Sequence, residues 1–190
     1  MQRAALGAQN HVVRDRRNSE DLIPPEPKVK NPLDDLLKST FNLEDWKHAY
    51  INKETHGAGG ALEWFYKRYV LHIPLNIRYL TINLYRIDYQ GFSVWRVNFK
   101  YNEELTQTFM SSNQIGGFFN HLKASRKYLF ASVGALGTSG DFVIAGALIL
   151  RGQDVKAVIE VAPDWESYAY VKLDLEGNED DKKSFEAALA

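Results

Sequence analysis

Asp164 and Glu166, in the segment PDWESY, are the nearest the chain comes to a paired-carboxylate site. General acid–base chemistry needs positioned titratable groups of this kind. Here, though, Pro163 and Asp164 read better as a turn, with Trp165 and Tyr168 packing beneath it. Ser125 lies four residues from His121 on a helical stretch, yet no nucleophile elbow surrounds it. His11, His48, His56, His72 and His121 show no metal-ligand spacing and read as structural. The glycine-rich HGAGG (56–60) precedes a helix and has the composition of a phosphate cradle. The strand that should lead into such a cradle is missing, so a connector is expected. With no cysteine, disulfides, thiolate zinc sites and cysteine nucleophiles are all excluded. Lys123, Arg126 and Lys127 form a basic helix face, either solvated or a contact for RNA or a protein partner. The residues taken alone describe a domain with no visible catalytic set, and neither a metal nor a cofactor is expected.

The elements around these residues set the fold class. Lys and Arg total 23 against 24 Asp and Glu, which argues against a chain built mainly to coat nucleic acid or anionic lipid. Hydrophobic residues make up 45%, enough for a sizeable core. Residues 1–30 are expected to be a disordered tail, closing on the extended, semi-rigid PPEPKVK linker. Order is expected from Asn31. Thr40 or Asn42 can cap a helix whose first turn holds Glu44 and Asp45, matching the helix dipole. GALEWFYKR reads as a second helix. FSVWRVNFKY alternates as a half-buried strand, with Trp95, Val97, Phe99 and Tyr101 on one side. SSNQIGGFFNHLKASRKYLF shifts to a helical period, placing Ile115, Phe118, Phe119, Leu122 and Arg126 on one face. ASVGAL, GTSGD and FVIAGALILRG form a hairpin, KAVIEV and SYAYVKLD read as further strands, and the acidic C-terminal run ends in a helix. The class is α+β, with a mainly antiparallel sheet of about five strands wrapped by helices.

Long aromatic-rich blocks carry a resemblance. They are NPLDDLLKSTFNLEDWKHAY, GALEWF, GFSVWRVNFKYN, NEELTQTFMSSNQIGGFFNHL, RKYLFAS, IAGALILRGQD and PDWESYAYVKLD. Together they resemble the C-terminal domain of the gamma subunit of eukaryotic translation elongation factor 1, in a fungal-like form. The resemblance covers residues 31 to about 188 apart from a central stretch. It implies an antiparallel sheet of about five strands wrapped by helices. It also implies a non-catalytic, cytoplasmic role in translation elongation, within the complex that exchanges GDP for GTP on the alpha subunit, exchange itself belonging to other subunits. The implied partners are the exchange subunit and the alpha subunit, and no catalytic residue carries over. Arg151, Asp164, Trp165, Glu166 and Tyr168 are the candidates for a shared surface. The alternative is an RNA- or ribosome-contacting module using the basic face. Family members place a glutathione-transferase-like domain and a charged linker ahead of this domain and usually continue beyond it. Residues 1–30 do not resemble that transferase domain, and the C-terminal domain is expected to be truncated.

The central stretch is residues 69–86. No Asp or Glu occurs from Trp64 through Ile87. A membrane span is not expected, because Arg78 near the middle would cost roughly 2.5–3.5 kcal/mol. Removing 69–86 joins GALEWFYKR to IDYQGFSVW and restores the spacing of the family. Arg68-Tyr69-Val70 and Tyr85-Arg86 can be encoded as fungal-type splice sites, with a branch site across Leu80-Thr81. The stretch is therefore expected to be a retained intron, the other reading being a genuine loop or edge strand.

Overall fold

The computed structural model describes residues 31–35, 39, 41–69, 91–138 and 141–190. The tail expected at 1–30 lies outside the described residues. So does the stretch 69–86, except for the backbone of Tyr69. Among the described residues no helix is long and apolar enough to cross a membrane.

After a short 3-10 turn at Pro32–Asp35, the chain enters α1 (Leu43–Asn52). Asn42 is the cap: its side-chain oxygen accepts the N–H groups of Glu44 and Asp45 at 3.0 and 3.4 Å. α2 (Ala61–Tyr69) follows, then β1 (Phe92–Phe99) and α3 (Thr108–His121), which leaves through a 3-10 turn at Leu122–Ser125. β2 (Leu129–Thr138) and β3 (Asp141–Arg151) make the expected hairpin, with Thr138 opposite Asp141. α4 (Lys156–Ile159), β4 (Tyr168–Lys172) and α5 (Glu179–Leu189) complete the order.

The described strands form one antiparallel sheet of four, in the order β2-β3-β1-β4. The α+β class stands, and the count of about five strands is corrected by one. KAVIEV, expected as a strand, is helical at Lys156–Ile159. The Lys156 N–H is caught by the Asp154 carboxylate at 2.9 Å, and Val158 and Ile159 donate to the Val155 carbonyl. Val155, Val158, Ile159 and Ala162 fall at i, i+3, i+4 and i+7, the spacing of one helix face. That face packs on the core, while Val161 is left 44% exposed.

β1 also differs from expectation, because both of its faces are covered. Val97 and Phe99 join Ile144, Leu148, Leu150 and Tyr168 under α3 and α4. Phe92 and Val94 join Ala147 and Ile149 on the other face, under Trp46 of α1, Phe65 of α2 and Phe185 of α5. Each such side chain taken fully out of water contributes roughly 1.5–3 kcal/mol, so the sheet is the middle of three layers.

Candidate interaction surface

His121, Asp164, Gln114 and Tyr168 bond to one another. His121 Nδ1 lies 2.9 Å from Asp164 Oδ1, so its partner is Asp164 rather than Ser125, which is buried. Gln114 Nε2 donates to the Tyr168 hydroxyl at 3.1 Å and reaches Asp164 Oδ2 at 3.5 Å. Tyr168 is only 2% exposed and stacks on Phe118 with ring centroids 4.2 Å apart. Burial, helped by the nearby Asp164 carboxylate and opposed by the Gln114 bond, pushes its phenol up to about 12. This network pins the turn at 163–167 to α3 between Gln114 and His121.

Of the other candidates, Trp165 and Glu166 share that turn, and Arg151 lies apart. Trp165 is half-buried, with Lys156 Nζ 5.4 Å above its ring. Glu166 keeps its side chain exposed while its carbonyl accepts from Lys100 Nζ at 2.7 Å. Arg151, at the end of β3, lies over the Phe92 ring at 5.2 Å. Phe92 belongs to the core under α1, α2 and α5, whereas Tyr168 belongs to the core under α3, so the sheet separates Arg151 from the His121–Asp164 network. Arg151, Asp164, Trp165, Glu166 and Tyr168 therefore do not share one patch.

HGAGG is a connector, as its hydrogen bonds show. Ala61 N–H donates to the Glu54 carbonyl at 2.8 Å, Leu62 N–H to the Thr55 carbonyl at 3.1 Å, and Gly59 N–H to the Glu63 carboxylate. The N–H groups of Gly59, Gly60, Ala61 and Leu62, at the start of α2, already have partners. Gly57 and Gly59 take φ of +92° and +78°, which other residues rarely adopt.

The basic face divides. Lys127 turns to Asp34, with an N–O distance of 2.7 Å, and lies over the Tyr128 ring. Lys123 and Arg126 point elsewhere, into a cleft of about 400 Å3. The turn after α3 brings Phe119, Lys123 and Arg126 to the same side of the chain, while Phe118 and Leu122 face the core. α1 supplies the opposite wall through Lys47 and Ile51, one turn apart. Lys47 Nζ bridges the walls, donating to Glu44 Oε1 at 2.6 Å and to the Arg126 carbonyl at 2.9 Å. The floor is Leu122 with Leu129, Phe130 and Ala131 of β2. Among the described residues, the side chains of Lys123 and Arg126 have no hydrogen-bond or ion-pair partner. Ile51 is 76% exposed at the rim. Sequence reasoning found Lys123 and Arg126 through their helical spacing. It missed Lys47, Ile51, Phe119 and Phe130 as parts of the same feature, because α1 and β2, far apart in the chain, meet only on folding, with Trp46 and Tyr50 against Phe130. The sole local hint was Ile51, an apolar residue on an otherwise polar stretch.

Comparison with known proteins gives the surface its setting. A model of the elongation factor 1 gamma conserved domain matches residues 28–72 and 76–154. Elongation factor 1-gamma 2 of Saccharomyces cerevisiae is 44% identical over 156 residues, covering 82% of this chain and 33% of that protein. Elongation factor 1-gamma of Schizosaccharomyces pombe is 38% identical over 157 residues, covering 82% of this chain and 34% of the relative. That of Rattus norvegicus is 38% identical over 159 residues, covering 82% and 31%. The chain thus spans about a third of the length of the curated relatives it matches. Since the family match takes in more than half of its residues, the chain belongs to the elongation factor 1 gamma conserved-domain family.

Proposed function

We propose that this chain is a non-catalytic interaction domain of the elongation factor 1 guanine-nucleotide-exchange complex, acting in translation elongation in the cytoplasm. The exchange subunit and the alpha subunit are its proposed partners. The observation that carries the reading is the contrast within the domain: His121, Asp164 and Tyr168 are locked into packing, whereas Lys123 and Arg126 flank an open apolar cleft. Such a surface suits binding more than chemistry, since the Asp164 carboxylate and the His121 imidazole are bonded to each other away from the cleft. The full chain, used as bait in a lysate at low and moderate salt, should recover elongation factor 1 subunits at both. A turnover assay with glutathione and an electrophile should show no rate above background.

The same two cations favour a second reading, contact with RNA or the ribosome. Binding of that kind releases counterions and weakens steeply with salt. Recovery of ribosomal proteins and RNA alone, lost at moderate salt, would favour it.

In the proposed layout, residues 31–190 are the family domain, 1–30 a tail and linker, and 69–86 an insertion. The family match breaks only at 73–75 and takes in the rest of 69–86, so the insertion reading rests on the sequence pattern of that stretch. Sequencing cDNA across the region is the direct test: transcripts lacking the segment are expected, and its retention in all abundant transcripts would make it a genuine loop.

A further inference from the structure

We infer that the cleft beside β2 is a docking groove for an extended acidic segment of a partner protein, which adds along the free edge of β2 and inserts a large apolar side chain between Ile51 and Phe119. β2 is an edge strand. Its pairing fixes which backbone groups look outward. The Arg151 N–H donates to the Tyr128 carbonyl at 2.8 Å, and these two residues lie directly opposite each other by the register Leu129↔Leu150. In an antiparallel ladder, hydrogen-bonded and non-hydrogen-bonded pairs alternate. Phe130 therefore bonds to β3, while the N–H and C=O groups of Leu129 and Ala131 point away from it. Among the described residues, no hydrogen bond beyond the sheet reaches either one. Both residues line the cleft.

Chemistry selects the occupant. A free strand edge takes an extended peptide, whose main chain supplies hydrogen bonds and whose alternate side chains fill pockets. The apolar floor and the rim residues Ile51 and Phe119 suit one large aliphatic or aromatic side chain. Among the described residues Lys123 and Arg126 stand on the α3 wall without counterions, while Glu44, at the start of the opposite wall, is held by Lys47. The groove thus presents two uncompensated positive charges beside an apolar slot, which fits carboxylates flanking an apolar anchor. RNA would satisfy the cations but would leave the strand edge and the apolar floor unused.

This inference rests on the interaction reading and names the chemistry of the partner. Its test is separate from the lysate experiment: a randomised peptide-display selection on the full chain, repeated on Lys123→Glu/Arg126→Glu. Both side chains are exposed, so the variant is expected to fold, checked by an unchanged melting temperature. The expected result is enrichment of peptides in which Asp or Glu flanks a large apolar residue, binding at least tenfold weaker to the variant. On the variant the selection should turn towards Lys and Arg. No acidic enrichment on the original chain, binding indifferent to the charge reversal, or binding of a single-stranded RNA oligonucleotide at this site in place of any peptide would each overturn the proposal. Loss of elongation factor 1 subunits from the lysate experiment with acidic peptides still selected would instead count against the family role alone.

Discussion

β2, ten residues long, and β4, five residues long, are the two edges of one sheet. Both turn alternate backbone groups outward. At β4 the bonds from Lys100 N–H to the Ser167 carbonyl and from Leu173 N–H to the Val94 carbonyl leave Tyr168, Tyr170 and Lys172 facing away. The surroundings differ. β4 carries its own protection: it is short, it ends on Lys172, and a charge on an edge strand discourages further pairing. Beneath it, Tyr168 is stacked on Phe118 and bonded to Gln114, and the Tyr170 hydroxyl donates to the Trp165 carbonyl. On β2 the residues at the groove are apolar, and the charges stand off on the turn after α3. One edge is closed by its own side chains. The other is guarded from a distance, an arrangement that repels like-charged strands and admits an acidic one.

Replacing Phe118 by Ala should give the largest effect. The ring is fully buried and fills the space between α3 and Tyr168. Loss of such an aromatic costs about 3–5 kcal/mol, through transfer and the cavity left behind. Chemical denaturation is the measurement. A cost below about 1 kcal/mol would mean that the β4 edge is not held from beneath. Gly146→Ala should come next and strike the other edge. Gly146 sits opposite both Val97 and Val133, and a Cβ there would lie 2.1 Å from the Ser132 carbonyl oxygen and 2.6 Å from the Val133 Cα. Backbone cannot swing aside as a side-chain tip can, so a loss of about 2–3 kcal/mol is expected, with β2 displaced. Peptide binding at the groove should fall with it, while the exposure of Trp165 to a fluorescence quencher should not change.

How far these features were legible in the sequence depends on how local their causes are. The α1 cap was legible because Asn42 acts on residues two and three positions away. The β2–β3 hairpin was legible because its turn and its apolar runs are contiguous. KAVIEV misled because a four-residue helix is too short to show its period, and the deciding residues, Val155 and Ala162, lie outside the segment. β1 looked half-buried because Trp95, Val97 and Phe99 alternate cleanly. The second layer was hidden in Phe92 and Val94, whose partners come from α1, α2 and α5. The groove was half legible: Lys123 and Arg126 share one turn, but their opposite wall arrives from a helix far back in the chain. Asp164 and Tyr168 drew attention as a possible surface for the same reason, since sequence gives residue type and not direction.

A smaller effect separates the two edges by pH. Tyr168 titrates near 12 in the folded protein and near the ordinary value of about 10 when unfolded. A raised folded value means that the unfolded chain releases its proton first. The contribution is therefore complete below about pH 10 and is lost as pH rises towards 12. Burial pushes the Tyr170 phenol in the same direction. Stability should thus decline between about pH 10 and 12 from the β4 side. Tyr168→Phe should cost about 1 kcal/mol at neutral pH, through the lost bond from Gln114, and should flatten the decline above pH 10. An unchanged alkaline slope in that variant would show that Tyr168 is not the titrating group.

The smallest expected effect is a gain. Gly116 and Gly117 lie inside α3, and a Cβ at either would meet nothing within 4 Å. Neither needs a positive φ. Glycine within a helix is roughly 0.8–1 kcal/mol less favourable than alanine, mainly because more backbone freedom is lost on folding. Gly116→Ala should therefore stabilise the domain by about 0.5–1 kcal/mol, raising the melting temperature by a few degrees without altering peptide binding at the groove. If Gly116→Ala instead destabilises the protein or weakens that binding, α3 must bend at this point for Phe119 to reach the rim. The glycine pair would then belong to the binding edge and not to the helix alone.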